Sequence, residues 1–122
     1  MKNGFPTRFV VEWIISEKGL VTLRHEKRMG RLEKFLSKIF NAPTEILRPL
    51  DEMNSYLWMI MDGTRDLTQI FFEMDKKFQE VIAPVEERVT KSISNFIDLG
   101  FVVIVSDYDE IFWNIGPAAI SQ

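Results

Sequence analysis

The sequence predicts an α+β fold, and three observations carry the prediction: two β-rich runs around a glycine turn near the amino terminus, three closely spaced helical patterns through the middle, and a strongly β run behind Gly100. Its 122 residues suit one hydrophobic core, so 1–122 is read as a single domain. With 46% hydrophobic residues, including 10 Phe and 3 Trp, the chain has enough apolar side chain to fill that core.

The elements follow in order. Residues 9–15 and 20–23 are rich in aromatic and β-branched side chains and flank Ser16, Glu17, Lys18 and Gly19, where Gly19 can take the positive φ of a short loop; this is a β-hairpin. Over residues 26–40, Met29, Leu32, Phe35, Leu36, Ile39 and Phe40 recur at helical spacing, with Lys27, Arg28, Arg31, Lys34 and Lys38 between them. That pattern is a basic amphipathic helix, interrupted by Gly30 and stopped at Asn41, Ala42 and Pro43. Glu45, Ile46, Leu47 and Arg48 form a short third strand ahead of Pro49, a residue suited to a sheet edge.

Three helices are expected next. Asp51 caps the first, whose apolar stripe is Met53, Leu57, Ile60 and Met61, and Gly63 stands where a left-handed stop is expected. Asp66 and Gln69 have the spacing of a capping box for the second, with a core face of Leu67, Ile70, Phe71, Met74 and Phe78. The third opens at Pro84 and closes at Leu99 and Gly100, burying Val85, Val89, Ile93, Phe96 and Ile97. Residues 101–105 and 110–115 then read as a carboxy-terminal hairpin around residues 106–109, a wing. Three short-linked helices beside a small antiparallel sheet are the arrangement of a winged helix-turn-helix domain, here with an extra amphipathic helix between the second and third strands.

Function is narrowed mostly by exclusion. The absence of cysteine removes disulfides, thiolate metal sites and cysteine nucleophiles, and fits a cytoplasmic setting. His25 is the only histidine, too few for a histidine metal site. Asp62, Gly63 and Thr64 lack the spacing and the lysine of a phosphate loop. Asp107, Asp109 and Glu110 cluster in acid, but Phe112 falls where a calcium loop needs its glycine. No catalytic, cofactor or metal site is therefore expected, no run approaches a membrane span, and the chain reads as a binding protein.

Charge is divided along the chain. Residues 1–44 hold nine Lys/Arg against four Asp/Glu, a net +5, and residues 45–122 hold six against fourteen, a net −8. The third helix of the core sets Arg88 and Lys91 against Glu86, Glu87 and Asp98, which argues against a nucleic-acid recognition helix. The basic helix could touch phosphates or an anionic membrane surface, although core packing explains its apolar residues as well.

From Leu50 to Val102 the sequence resembles the family of coenzyme PQQ synthesis protein D (PqqD), the stand-alone form of the RiPP recognition element. The residues that carry the likeness are Leu50 and Asp51, Ser55 and Trp58, Asp62-Gly63-Thr64-Arg65, Ile70, Phe78, Pro84, Val89, Phe96, and Leu99-Gly100-Phe101-Val102. Trp13 and residues 19–23 look like the family's first hairpin, so the likeness spans about residues 9–102. Asp66 stands where the family often has threonine, the basic inserted helix is long, and the extension over residues 106–122 exceeds the usual ending.

The resemblance implies a carrier that binds the leader of a ribosomally made precursor peptide and presents it to a modifying enzyme, such as a radical SAM protein, in PQQ biosynthesis or a similar pathway. The leader would lie as an added strand on Glu45, Ile46, Leu47 and Arg48. Arg88, Ser92 and Asn95 would line the groove, Val85 and Val89 would floor it, and Arg48 and Arg88 would favour an acidic leader. The alternative is a regulatory winged helix that binds nucleic acid or self-associates, as a homodimer, through Phe112 and Trp113.

Overall fold

The computed structural model describes residues 4–26, 31–41 and 45–118. Nine elements of regular structure alternate along them: β1 (Phe5–Arg8), β2 (Glu12–Ile15), β3 (Val21–Glu26), α1 (Arg31–Phe40), β4 (Glu45–Pro49), α2 (Glu52–Ile60), α3 (Leu67–Phe78), α4 (Val85–Asp98) and β5 (Val102–Val105). The fold is α+β, with four helices and two small antiparallel sheets.

The expected hairpin forms as β2 and β3, with Gly19 at φ 83° in its loop. β4 adds to β3, so the larger sheet runs β2-β3-β4 and leaves β4 at one edge. Period-two alternation turns Trp13, Val21 and Leu23 into the core and leaves Glu12, Ile14 and Arg24 outside. On the outer face Arg24 holds Glu12 and Glu45, one on each neighbouring strand.

Capping defines the helices. The Asp51 carboxylate accepts the Asn54 N–H at the start of α2, and Asp66 and Gln69 close a reciprocal capping box at the start of α3. α2 has no basic residue in its own last turn, and strand β1 supplies one. The buried Arg8 guanidinium donates to the Trp58 and Met59 carbonyls at 2.7 and 2.9 Å, satisfying acceptors that the helix end leaves open. Burial lowers the Arg8 pKa, and Asp62 works against that shift. The core closes around Trp58, with Trp13 and Phe96 meeting it edge-on at 6.2 and 5.5 Å between ring centroids. Ser55, also buried, accepts the Val21 N–H and donates to the Leu50 carbonyl, tying α2 to the ends of β3 and β4.

Three expectations are corrected. The carboxy-terminal wing does not form: β5 pairs antiparallel with β1, from Phe5 opposite Val105 to Arg8 opposite Val102. Asp107 and Glu110 close a capping box on a short 3-10 turn at Tyr108–Glu110, and residues 111–115 continue without strand structure. Gly63 does not end α2, whose cap is Met61. At φ 85° its N–H bonds the Pro6 carbonyl, and a Cβ there would lie 2.5 Å from the Ile111 side chain. Leu67 and Ile97, assigned to core faces, are more than one-third exposed.

A fourth correction concerns the basic helix. α1 is helical over Arg31–Phe40, while Lys27, Arg28, Met29 and Gly30, and Ala42 and Pro43 at its expected stop, lie outside the described residues. Its apolar face is not packed on the core, and Leu32, Phe35, Leu36, Ile39 and Phe40 are all exposed. α1 stands in the connection between the paired ends of β3 and β4.

Candidate functional site

The two edges of the larger sheet are built differently. Along β2, the Ala118 N–H donates to the Trp13 carbonyl at 2.7 Å, so the tail of the chain covers part of that edge. Along β4, strand pairing among the described residues is confined to β3. The phase of that pairing follows from one bond: the Leu50 N–H donates to Val21, which stands opposite it, at 2.8 Å. Hydrogen-bonded pairs alternate along an antiparallel ladder, so Arg48 with Leu23 and Ile46 with His25 also bond inward. The backbone of Glu45, Leu47 and Pro49 then faces away from β3. Proline is tolerated at Pro49 for this reason, because the donor it lacks would point out of the sheet.

Beside this edge lies an open groove of about 550 Å³. Arg48, Pro49 and Leu50 form one wall, Asp51 and Asn54 at the start of α2 close one side, and the second half of α4 forms the other wall. The α4 residues are Ser92, Asn95, Phe96 and Leu99, a single stripe at i, i+3, i+4 and i+7, joined by Asp98. Phe96 and Leu50 give the groove an apolar base under a polar rim.

The rim holds uncommitted polar groups. Arg48 Nε is shielded from water and has no hydrogen-bond partner, and among the described residues Arg48 makes no ion pair. A buried donor left unsatisfied costs about 1–3 kcal/mol. Asp51 is already engaged, accepting from the Asn54 backbone and side chain at 2.8 and 3.0 Å. The groove therefore offers one unbonded cation, the carboxylate of Asp98, and the hydroxyl and amide of Ser92 and Asn95.

Of the nine residues expected at the site, Arg48, Ser92 and Asn95 come together here. Ile46 is half-buried on the same face of the sheet as Arg48. Glu45 and Leu47 turn their side chains to the opposite face, where Glu45 meets Arg24 at 3.7 Å and Leu47 is exposed. Val89 is fully enclosed by the core, Val85 packs against it, and neither lines the groove. Arg88 donates to the Val81 carbonyl at 3.1 Å, away from β4. The expected stripe on α4 thus began about one turn too early. The missed residues are Pro49, Leu50, Asp51, Asn54, Phe96, Asp98 and Leu99; the stripe from Ser92 to Leu99 was visible as a spacing, but which half of α4 faces β4 is fixed by packing.

Elsewhere the described residues hold no group of three His, Cys, Asp or Glu side chains arranged for a metal ion. No described helix is long and apolar enough to cross a membrane. No family model, no curated protein and no solved structure matches this chain.

Proposed function

We propose that this chain is a non-catalytic peptide-binding module that takes an extended guest segment as a fourth strand on β4. The observation that carries the proposal is the outer edge of β4, unpaired among the described residues, beside a groove walled by α4. The guest would exchange main-chain bonds with Leu47 and could only donate to Pro49, which offers a carbonyl but no N–H. Alternate guest side chains would enter the groove. An acidic one satisfies Arg48, and a donor suits Asp98, so the preferred guest carries one carboxylate within a polar and apolar segment rather than an acidic run.

The likeness to the PqqD family over residues 9–102 gives this guest its class: the leader of a ribosomally made precursor peptide, presented to a modifying enzyme. The family places its guest against the strand preceding the three-helix unit, and β4 precedes α2, α3 and α4 in the same order. In that winged-helix reading, β1 takes the place beside β5 that a returning wing strand would occupy. A nucleic-acid reading is weaker, because Asp51 and Asp98 stand on the groove and Glu86 and Glu87 open α4.

Selection of peptides from a random displayed library, followed by titration of the winners into isotopically labelled protein, tests this. Amide shifts are expected along Glu45–Pro49 and from Ser92 to Leu99. Leu47→Pro removes an outward N–H without touching the bonds to β3, and is expected to weaken binding by at least about tenfold. Raised salt should change the affinity little. Winners that map elsewhere, that ignore Leu47→Pro, or an empty selection would count against strand addition.

A further inference from the structure

The unpacked face of α1 has no part in the groove. Leu32, Phe35, Leu36, Ile39 and Phe40 recur at i, i+3, i+4, i+7 and i+8, so they share one side of the helix, and each is at least 41% exposed. Arg31, Lys34 and Lys38 recur at i, i+3 and i+7 on the other side, against the single acid Glu33. This cationic surface belongs to a chain whose net charge is −3 and whose residues 45–122 carry −8.

We infer that α1 is an interfacial helix that docks the protein on an anionic lipid bilayer, its apolar side sunk at the headgroup boundary and its lysines and arginine directed to lipid phosphates. Three features select this occupant. Lipid takes up an apolar stripe and a basic face together, whereas a nucleic acid would meet the cations and leave five large apolar side chains in water. A second copy or a protein partner is a poor match for α1 alone: a stable interface draws on about 20–30 residues a side, and α1 offers five apolar ones on a helix about 15 Å long. Position is the third, because α1 stands in the connection between the paired ends of β3 and β4 with its apolar side exposed.

The helix itself supplies a further readout. Ten residues are marginal for an isolated helix in water, so contact with a bilayer should add helix as well as hold the protein. Binding is independent of strand addition, since β4 and the groove take no part in it.

The test uses the full chain and vesicles of phosphatidylcholine, or of an equal mixture of phosphatidylcholine and phosphatidylglycerol. Cosedimentation with the mixed vesicles is expected to exceed that with neutral ones on the order of tenfold or more, to fall as salt rises, and to bring a gain in helical circular dichroism. Phe35→Ser with Phe40→Ser should abolish it, and Lys34→Glu with Lys38→Glu should reduce it to the neutral-vesicle value. Neither pair touches the core, so both should keep the wild-type thermal melt. No binding to either vesicle, equal binding to both, or binding untouched by the Phe35 and Phe40 changes overturns the inference. So does a dimer in solution that the Phe35 and Phe40 changes convert to monomer, which would give the face to a second copy.

Discussion

Strands β2 and β4 flank the same central strand and present the same backbone chemistry, yet the tail covers part of the β2 edge while, among the described residues, β4 pairs with β3 alone. At β2 the tail folds back over Trp13: Ala118 donates to its carbonyl, and the Ile115 carbonyl accepts from the Trp13 indole at 3.1 Å and from Arg8 Nε at 2.9 Å. Trp113 completes the clasp, stacking edge-on against Phe9 at 5.1 Å and donating to the Arg8 carbonyl. At β4, among the described residues, a strand of five residues stands open beside a groove where Arg48 Nε has no hydrogen-bond partner. Open edges invite pairing with other chains, and proteins ordinarily cover or blunt them. If β4 takes a guest strand as proposed, the sheet has one edge given to structure and one given to reception.

Changes on the two sides should therefore have opposite signatures. The largest expected effect is at Arg8, which joins the tail, β1 and the end of α2. Arg8→Met should lower stability by about 3–5 kcal/mol in urea unfolding, because three carbonyls lose a charged donor in a buried place. Truncation after Ile111 removes the clasp and should cost about 2–4 kcal/mol. It should also expose β2, giving concentration-dependent association in sedimentation that the full chain does not show. Ser55→Ala strands the buried Val21 N–H and should cost about 1–3 kcal/mol without opening either edge. Smallest is Leu47→Pro on the outer edge of β4, within about 0.5 kcal/mol of wild type while weakening the proposed guest binding at least about tenfold. If Leu47→Pro destabilised as strongly as Arg8→Met, the two edges would not differ in kind.

Local rules made much of this visible beforehand. The Gly19 hairpin, the Asp51 cap and the Asp66 to Gln69 box each depend on residues within a few positions of one another, and each stands where the sequence puts it. The partner of β5 does not obey such a rule. Residues 110–115 are β-rich and adjacent, but their approach is a capped 3-10 turn, and Phe5 to Arg8 arrives from the far end of the chain. Phe5-Pro6-Thr7-Arg8 has too little alternation and one proline, so nothing local marks it as a strand. Arg8 likewise looks like a surface residue until β1 is set against α2.

The site divides along the same line. Arg48, Ser92 and Asn95 were readable from the strand and the face of α4, because periodicity fixes which side a residue takes. Which turn of α4 meets β4 depends on how far the helix slides along the sheet, and that is set by Phe96, Trp58 and Trp13 in the core. For α1, periodicity identified the apolar side but not whether the core had room for it. Its five large residues are exposed, and the buried core is built of Trp13, Leu23, Leu57, Trp58, Met74 and their neighbours.

Amide hydrogen exchange on the dilute free protein reads the state of β4 directly, residue by residue. Ile46 and Arg48, bonded inward to β3, are expected to exchange slowly, and Leu47 between them at close to the rate of an unprotected amide. Protection of Leu47 equal to that of Arg48 would mean that the outer edge is already paired, and the receiving strand would be lost.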